Sequence, residues 1–431
     1  MKERLDGDMS QVDSGAYQMG NYTLKCMDTK EKFDDDYTLH FSDNALIQAE
    51  YQKGFKPIDA DGVWRYFDWL PTKKISAQTA GTVTYKAEEL GEKIGFTNLW
   101  IAFHGYWPER GGICPTGSFK DMEAVPTIQR MKDHSCEGMI CASAGNTARA
   151  FTHFCADDKF PLIVIVADIH ANRIWAKKSM NMDSVKVVVV KDGNYQDAKD
   201  VAKELSKLLP GWQLEGGAHN IARRDGIGSL ILDSYEEIGR LPDHYFQAVG
   251  GGPGPIGVYE MMERLIHSGH YEGSVAKIHL SQNPEHCPIH SAWQRNSREL
   301  EAEDFPKGSA DVYSDYLLSE TPAYSVKGGV YDILEASSGE TYIVEKDDAI
   351  SAGKIFQDVE KIDVLSPAKV ALASLMQAKE MGTVKHDDCI LLNVSGGGVQ
   401  RLKQDHETEV VKPWVLDTKE NLVEKIMSLL N

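Results

Sequence analysis

A doubly wound α/β protein with mostly parallel sheets is the fold class that this 431-residue chain predicts, on three observations. Apolar, β-branched runs recur along it, each followed by a glycine-rich or polar turn and then an amphipathic stretch. The runs are continuous instead of alternating, as expected for strands buried on both faces. The length, at roughly 150 residues per domain, calls for two or three domains, or a large domain with a second lobe.

The elements follow in order. Met1 to Met19 is polar and acidic with no apolar stretch, so about twenty residues are expected as a loose tail and not as a signal peptide. Asn98–Phe103 predicts a strand, Phe119–His134 a helix kinked at Pro126, Gly138–Ala142 a strand and Thr147–Cys155 a helix. Pro161–Ala167 and Val185–Val190 are buried-strand runs, followed by helix-like segments at Ala171–Met182 and Gln196–Leu209. Phe246–Val249 leads into Gly250–Gly254 and a helix to about His267. Ser366-Pro367 opens a helix to Met381, because proline at the first helical position loses no needed hydrogen bond. A last strand covers Cys389–Val394. Residues 300–345 mix Pro, Gly, Ser and Tyr without a period, as an insertion near the site or a surface excursion would.

Composition narrows the function. Hydrophobic residues make up 42% and charged residues 26%, enough for a large core. The net charge of −19, from 65 acidic and 46 basic residues, argues against nucleic acid and anionic membrane as partners. No segment reaches the ~18 apolar residues of a membrane span. Seven scattered cysteines without a C-x-x-C pair read as reduced thiols in a cytosolic protein. Any anionic ligand must then meet local positive potential from helix starts and a few basic side chains.

Four loops carry candidate chemistry. In Cys114–Asp121 (C-P-T-G-S-F-K-D), Pro115 and Gly117 force a turn, Ser118 is a candidate N-cap with Asp121 closing a capping-box pair, and Lys120 falls in the first helical turn. The positive end of a helix suits a lysine that must be neutral, as an amine nucleophile must be. Ser143-Ala144-Gly145-Asn146-Thr147 opens a helix with small residues, an anion cradle or a plain βα turn. Gly250-Gly251-Gly252-Pro253-Gly254 lies between strand and helix, as a phosphate loop does, although Pro253 offers no N–H. Ser395 follows the last strand in N-V-S-G-G-G. All four fall at C-terminal strand ends, where open α/β sheets gather ligands. His286-Cys287…His290 has metal-ligand residue types but no fourth ligand, and Asp34-Asp35-Asp36 is expected as a solvated turn.

The run P-T-G-S-F-K-D resembles the cofactor-lysine motif of the threonine synthase branch of fold-type II pyridoxal-phosphate enzymes. Val63-Trp64-Arg65-Tyr66…Leu70-Pro71 and Glu215-Gly216-Gly217 extend the likeness over most of the chain. The resemblance implies pyridoxal 5'-phosphate held as a Schiff base on Lys120, the catalytic residue, with Asn146 against its phenolic oxygen. It places Gly250, Gly251, Gly252 and Gly254 at the phosphate and Ser395 at the pyridine nitrogen. It puts Ser143, Ala144, Gly145 and Thr147 at the substrate carboxylate. It also implies a large lobe of 21–110 and 230–431, a small lobe of 111–229, and a homo-oligomer.

The chain departs from threonine synthases in three places: the Phe103–Gly112 segment (F-H-G-Y-W-P-E-R-G-G), Ser395 in place of Thr, and a glycine loop without Gly-Asn. With these, the resemblance implies β-replacement on two small anions, O-phospho-L-serine and sulfite. Phosphohomoserine chemistry and other serine β-eliminations are the neighbouring readings, and a non-catalytic binding protein on the same fold is the remote one. For anionic substrates His104, Arg110, Arg149 and Arg295 are the candidate facing residues.

Overall fold

A computed structural model describes residues 22–143, 145–305 and 312–430. The expected N-terminal tail, and Ala144, lie outside the described residues. Two sheets organise the chain. The larger has seven strands in the order Glu340–Ile343, Lys277–Gln282, His244–Ala248, Ile390–Gly397, Leu99–Trp107 and Val83–Lys86, with Gly112–Ile113 pairing back on Leu99–Trp107. The first five strands of that order run parallel. The smaller sheet orders Trp212–Leu214, Gly138–Ala142, Leu162–Ala167, Val185–Val190 and Val415–Asp417, all parallel. Every residue of Leu162–Ala167 and of Ile390–Gly397 is buried, which is why these runs show no alternation.

Three helices pack on one another in series. Lys120–Asp133 packs on Ile221–Ile238, which packs on Pro253–His267. Close approach explains two of their glycines. A Cβ on Gly226 would lie 2.2 Å from the Met122 carbonyl oxygen, and one on Gly257 2.2 Å from that of Arg224. Pro126 lies inside one helix that runs unbroken from Lys120 to Asp133.

Several expectations are corrected. Residues 408–430 are expected with the large lobe, but Val415–Asp417 is an edge strand of the smaller sheet, and Leu422 and Ile426 of the Lys419–Leu430 helix are buried in that sheet's core. The expected lobe boundary at 229/230 falls inside the Ile221–Ile238 helix. Ala171–Met182 is not a helix. Asp168–Arg173 is a 3₁₀ turn and Trp175–Lys177 a strand, antiparallel to Thr408–Val410. Distant strand pairing has overridden local pattern there. Asp35 is not solvated either. It accepts from Arg130 Nε at 2.8 Å and Nη2 at 2.6 Å, and Tyr22 donates to it at 2.7 Å. Arg130 itself is fully buried.

Candidate active site

The parallel strands of the larger sheet end on one edge, and the register Phe246↔Leu392 sets Gly250 just past one strand end and Ser395 near the end of the adjacent strand, inside it and not after it as expected, because that strand runs on to Gly397. Neighbouring strands lie about 4.8 Å apart. Lys120 is stitched to the same edge. The Phe119 N–H donates to the Ser395 carbonyl at 3.0 Å, and the Gly397 N–H to the Gly117 carbonyl at 3.1 Å.

Lys120 is the first residue of its helix, but the expected capping box does not form. The buried Ser118 hydroxyl has no partner, and Asp121 accepts instead from the Thr116 N–H at 2.8 Å and from the Thr116 hydroxyl. Burial pushes the Asp121 carboxyl up to about 7. The Lys120 side chain is 16% exposed, and its amine donates to the fully buried carboxylate of Glu123, one turn on. Desolvation holds the Lys120 pKa below the usual lysine range, against the pull of Glu123, and Arg223 adds to the lowering. Arg223 Nε lies 2.8 Å from the other Glu123 oxygen, and its Nη1 donates to Glu215 at 2.5 Å. Its Nη2 donates to the Thr147 hydroxyl at 3.3 Å. One cation thus joins the lysine's partner to the Ser143–Thr147 loop.

That loop opens the Asn146–Asp157 helix, with Gly145 as N-cap. Asn146 Oδ1 accepts from Arg149 Nη2 at 2.5 Å, and the Ser143 hydroxyl accepts from the Gly145 N–H at 3.5 Å. On the other side, Gly252 has φ +98° and caps the Pro253–His267 helix, a conformation that excludes a Cβ at low cost. Among the described residues the N–H groups of Gly251, Gly252 and Gly254 find no protein acceptor. Three unpaired donors at a helix start suit an anion such as a phosphate.

Residues 312–345 supply the cover that sequence reading could not place. Tyr316 lies against Gly145, 3.5 Å from where its Cβ would be, and the Leu317 backbone approaches Gly250 to 3.1 Å by the same measure. Arg173 pairs with Asp315 at the same turn. The turn therefore spans from the Ser143–Thr147 loop to the glycine loop.

Three candidate residues are not brought to the site. His104 is fully buried behind Phe119, its Nε2 2.9 Å from the Thr82 hydroxyl and its Nδ1 3.3 Å from the Val394 carbonyl. Burial lowers its pKa to about 4, so it is neutral near pH 7. Arg110 stacks over Tyr85 and Trp107 and faces Glu360 at 3.7 Å. Arg295 is held by Asp304 at 2.5 Å and Glu301 at 3.1 Å. His286 turns to Ser319 and His290 to Thr341, so they do not face a common point. Sequence reasoning missed Glu123 and Arg223. The one signal for Glu123 was its place at i+3 from Lys120, on the same helix face; Arg223 stands among other charged residues of its helix and had none.

These residues fit pyridoxal phosphate. Lys120 would carry it, Gly251, Gly252 and Gly254 would hold its phosphate, and Asn146 and Ser395 would meet its ring. Fold and site together define the class, a fold-type II pyridoxal-phosphate enzyme. Residues 86–396 match the family model described as "Pyridoxal-phosphate dependent enzyme". Among solved structures the fold is like maize serine racemase (TM-score 0.59, 15% identity, 75% of this chain and 91% of that one). It is also like an L-serine ammonia-lyase from Rhizomucor miehei (TM-score 0.57, 14% identity, 75% and 98%). In sequence the chain is 40% identical to the cysteate synthase of Methanosarcina barkeri over 402 residues, 92% of this chain and 96% of that protein. It is equally identical to that of Methanocella paludicola, with 92% and 94% covered. The chain belongs to the cysteate synthase family. Among the described residues no helix is long and apolar enough to cross a membrane.

Proposed function

We propose that the chain catalyses O-phospho-L-serine + sulfite → L-cysteate + phosphate. The observation that carries this reading is the desolvated Lys120 amine, set on one sheet edge with an unsatisfied glycine cradle and, through Glu123 and Arg223, tied to an anion-type loop. Likeness to the cysteate synthases supports the choice of substrates.

Bound pyridoxal phosphate supplies the electron sink for charge developing at the substrate's α-carbon. The N–H groups of the Ser143–Thr147 loop hold the α-carboxylate at a helix start. The Lys120 amine, neutral more readily for its burial, takes the α-proton. Glu123 accepts a hydrogen bond from the charged amine that results, and so keeps the proton at Nζ for return. Phosphate departs with the electrons of the Cβ–O bond, and the sulfur lone pair of sulfite forms the Cβ–S bond. Lys120 then returns the proton to Cα. The 315–317 turn over both loops limits water that would compete with sulfite.

Incubation of the purified holoenzyme with phosphoserine and sulfite should yield L-cysteate and phosphate one for one. Threonine from phosphohomoserine without any cysteate from the first mixture would overturn the substrate assignment.

A further inference from the structure

Four arginines are buried among the described residues, and three of them are neutralised. Arg130 is paired with Asp35, Arg223 with Glu123 and Glu215, and Arg224 with Glu260. The fourth is Arg149, 4% exposed, with no carboxylate within ion-pair distance among the described residues. Its Nε finds no acceptor, its Nη2 donates to Asn146, and its guanidinium lies 4.6 Å above the Trp175 ring. It also sits in the first turn of its helix, the end that disfavours a cation. Asp121, which acts on Arg149 through charge, has its own carboxyl pushed up to about 7 by burial, and Lys177 also bears on that carboxyl. Burial lowers the Arg149 pKa accordingly. A buried, uncompensated guanidinium is costly unless an anion joins it.

We propose that Arg149, floored by Trp175, is the subsite for the oxyanion at the substrate's β-carbon: the phosphate that leaves and the sulfite that takes its place. This rests on the reaction proposed above and deepens it. A planar guanidinium grips a tetrahedral or pyramidal XO₃ group through two parallel donors, and Arg149 has its Nε free while its Nη2 ties it to Asn146 of the Ser143–Thr147 loop. Arg223 is less suited, because two carboxylates already hold it. Tyr316, 36% exposed and interacting with Arg149, marks the route to solvent. One cationic pocket would serve both oxyanions in turn, because both bond to the same carbon.

The test compares wild-type holoenzyme, whose glycine loop is filled, with Arg149→Gln and Arg149→Lys. Millimolar sulfate, an unreactive probe, should raise the wild-type melting temperature and leave Arg149→Gln unshifted beyond the general salt effect. In turnover, KM for sulfite and KM for phosphoserine should both rise about tenfold or more in Arg149→Gln, in keeping with loss of a charged hydrogen bond, and less in Arg149→Lys. A rise confined to one of the two substrates would overturn the shared pocket. L-serine, which has no β-oxyanion, should bind both variants as it binds wild type. Equal weakening of L-serine would make Arg149 a carboxylate ligand and overturn the proposal. An unchanged sulfate shift with unchanged KM values would overturn it too. If wild type makes no cysteate yet loses its sulfate shift on Arg149→Gln, the reaction assignment falls and the subsite stands. If Arg149→Gln does not fold, Arg149→Lys decides by the same two readings.

Discussion

Lys120 gives its amine to Glu123 one turn along the same helix, and Arg223 holds Glu123 from the other side at 2.8 Å. The carboxylate is fully buried, so it acts on both cations at low dielectric. Glu123 opposes the desolvation that lowers the Lys120 pKa. The pair thus balances an amine free enough to take a proton against one charged enough to keep it.

Replacing Glu123 by Gln removes that opposing charge. The pKa of the Lys120 amine, free to act as base only once substrate is bound, should fall further, so the acidic limb of the kcat pH profile moves to lower pH. The variant should also lose about 2–4 kcal/mol of stability, because Arg223 keeps only Glu215. A pH profile superimposable on wild type would contradict this role.

Gly254→Ala tests the cradle. Its Cβ would fall 2.4 Å from Gln247 Nε2, within a buried network in which Tyr245 donates to Gln247 at 2.6 Å and Asn393 to Tyr245 at 2.7 Å. Either the Gln247 amide leaves that network or the helix start shifts, and both disturb the glycine loop. Titration of cofactor-free protein with pyridoxal phosphate should show affinity lower by about tenfold or more, at a stability cost of about 1–3 kcal/mol.

The acid side of the stability curve should carry the signature of His104. Its folded pKa of about 4 lies below the 6.5 of an unfolded chain. Between those values the unfolded chain binds a proton that the folded one refuses, so stability rises with pH across this window. Acidification from 6.5 to 4 should cost about 3 kcal/mol from this residue. Urea unfolding of His104→Gln should show a flatter dependence across the same range, whatever its offset at pH 7.

Asp35→Asn should destabilise by about 3–5 kcal/mol, because it leaves the fully buried Arg130 guanidinium without its counter-ion. A shift in the urea midpoint of the holoenzyme measures it. Near-neutrality would mean that water reaches Arg130.

Local pattern made the site's skeleton legible. Lys120, Asn146, Gly252 and Ser395 each follow an apolar run that closes on a turn, and those runs are strands because their residues fill both faces of a sheet. Partner choice was not legible. Nothing in Val415–Asp417 says that it will pair with Val185–Val190, and nothing in Trp175–Lys177 announces Thr408–Val410. The basic residues make the same point. Arg110, Arg149 and Arg295 look alike in sequence, and only tertiary packing gives Arg295 two carboxylates and Arg149 none among the described residues. Asp35 reads as part of a solvated acidic run until Arg130, far along the chain, is packed onto it.

Everything turns on which lysine holds the cofactor. Borohydride reduction of the holoenzyme, proteolysis and mass spectrometry of the pyridoxyl-labelled peptide measure this directly. The account predicts one labelled peptide, modified at Lys120, and no label in Lys120→Ala. Label on another lysine, or a Lys120→Ala protein labelled as fully as wild type, would contradict it.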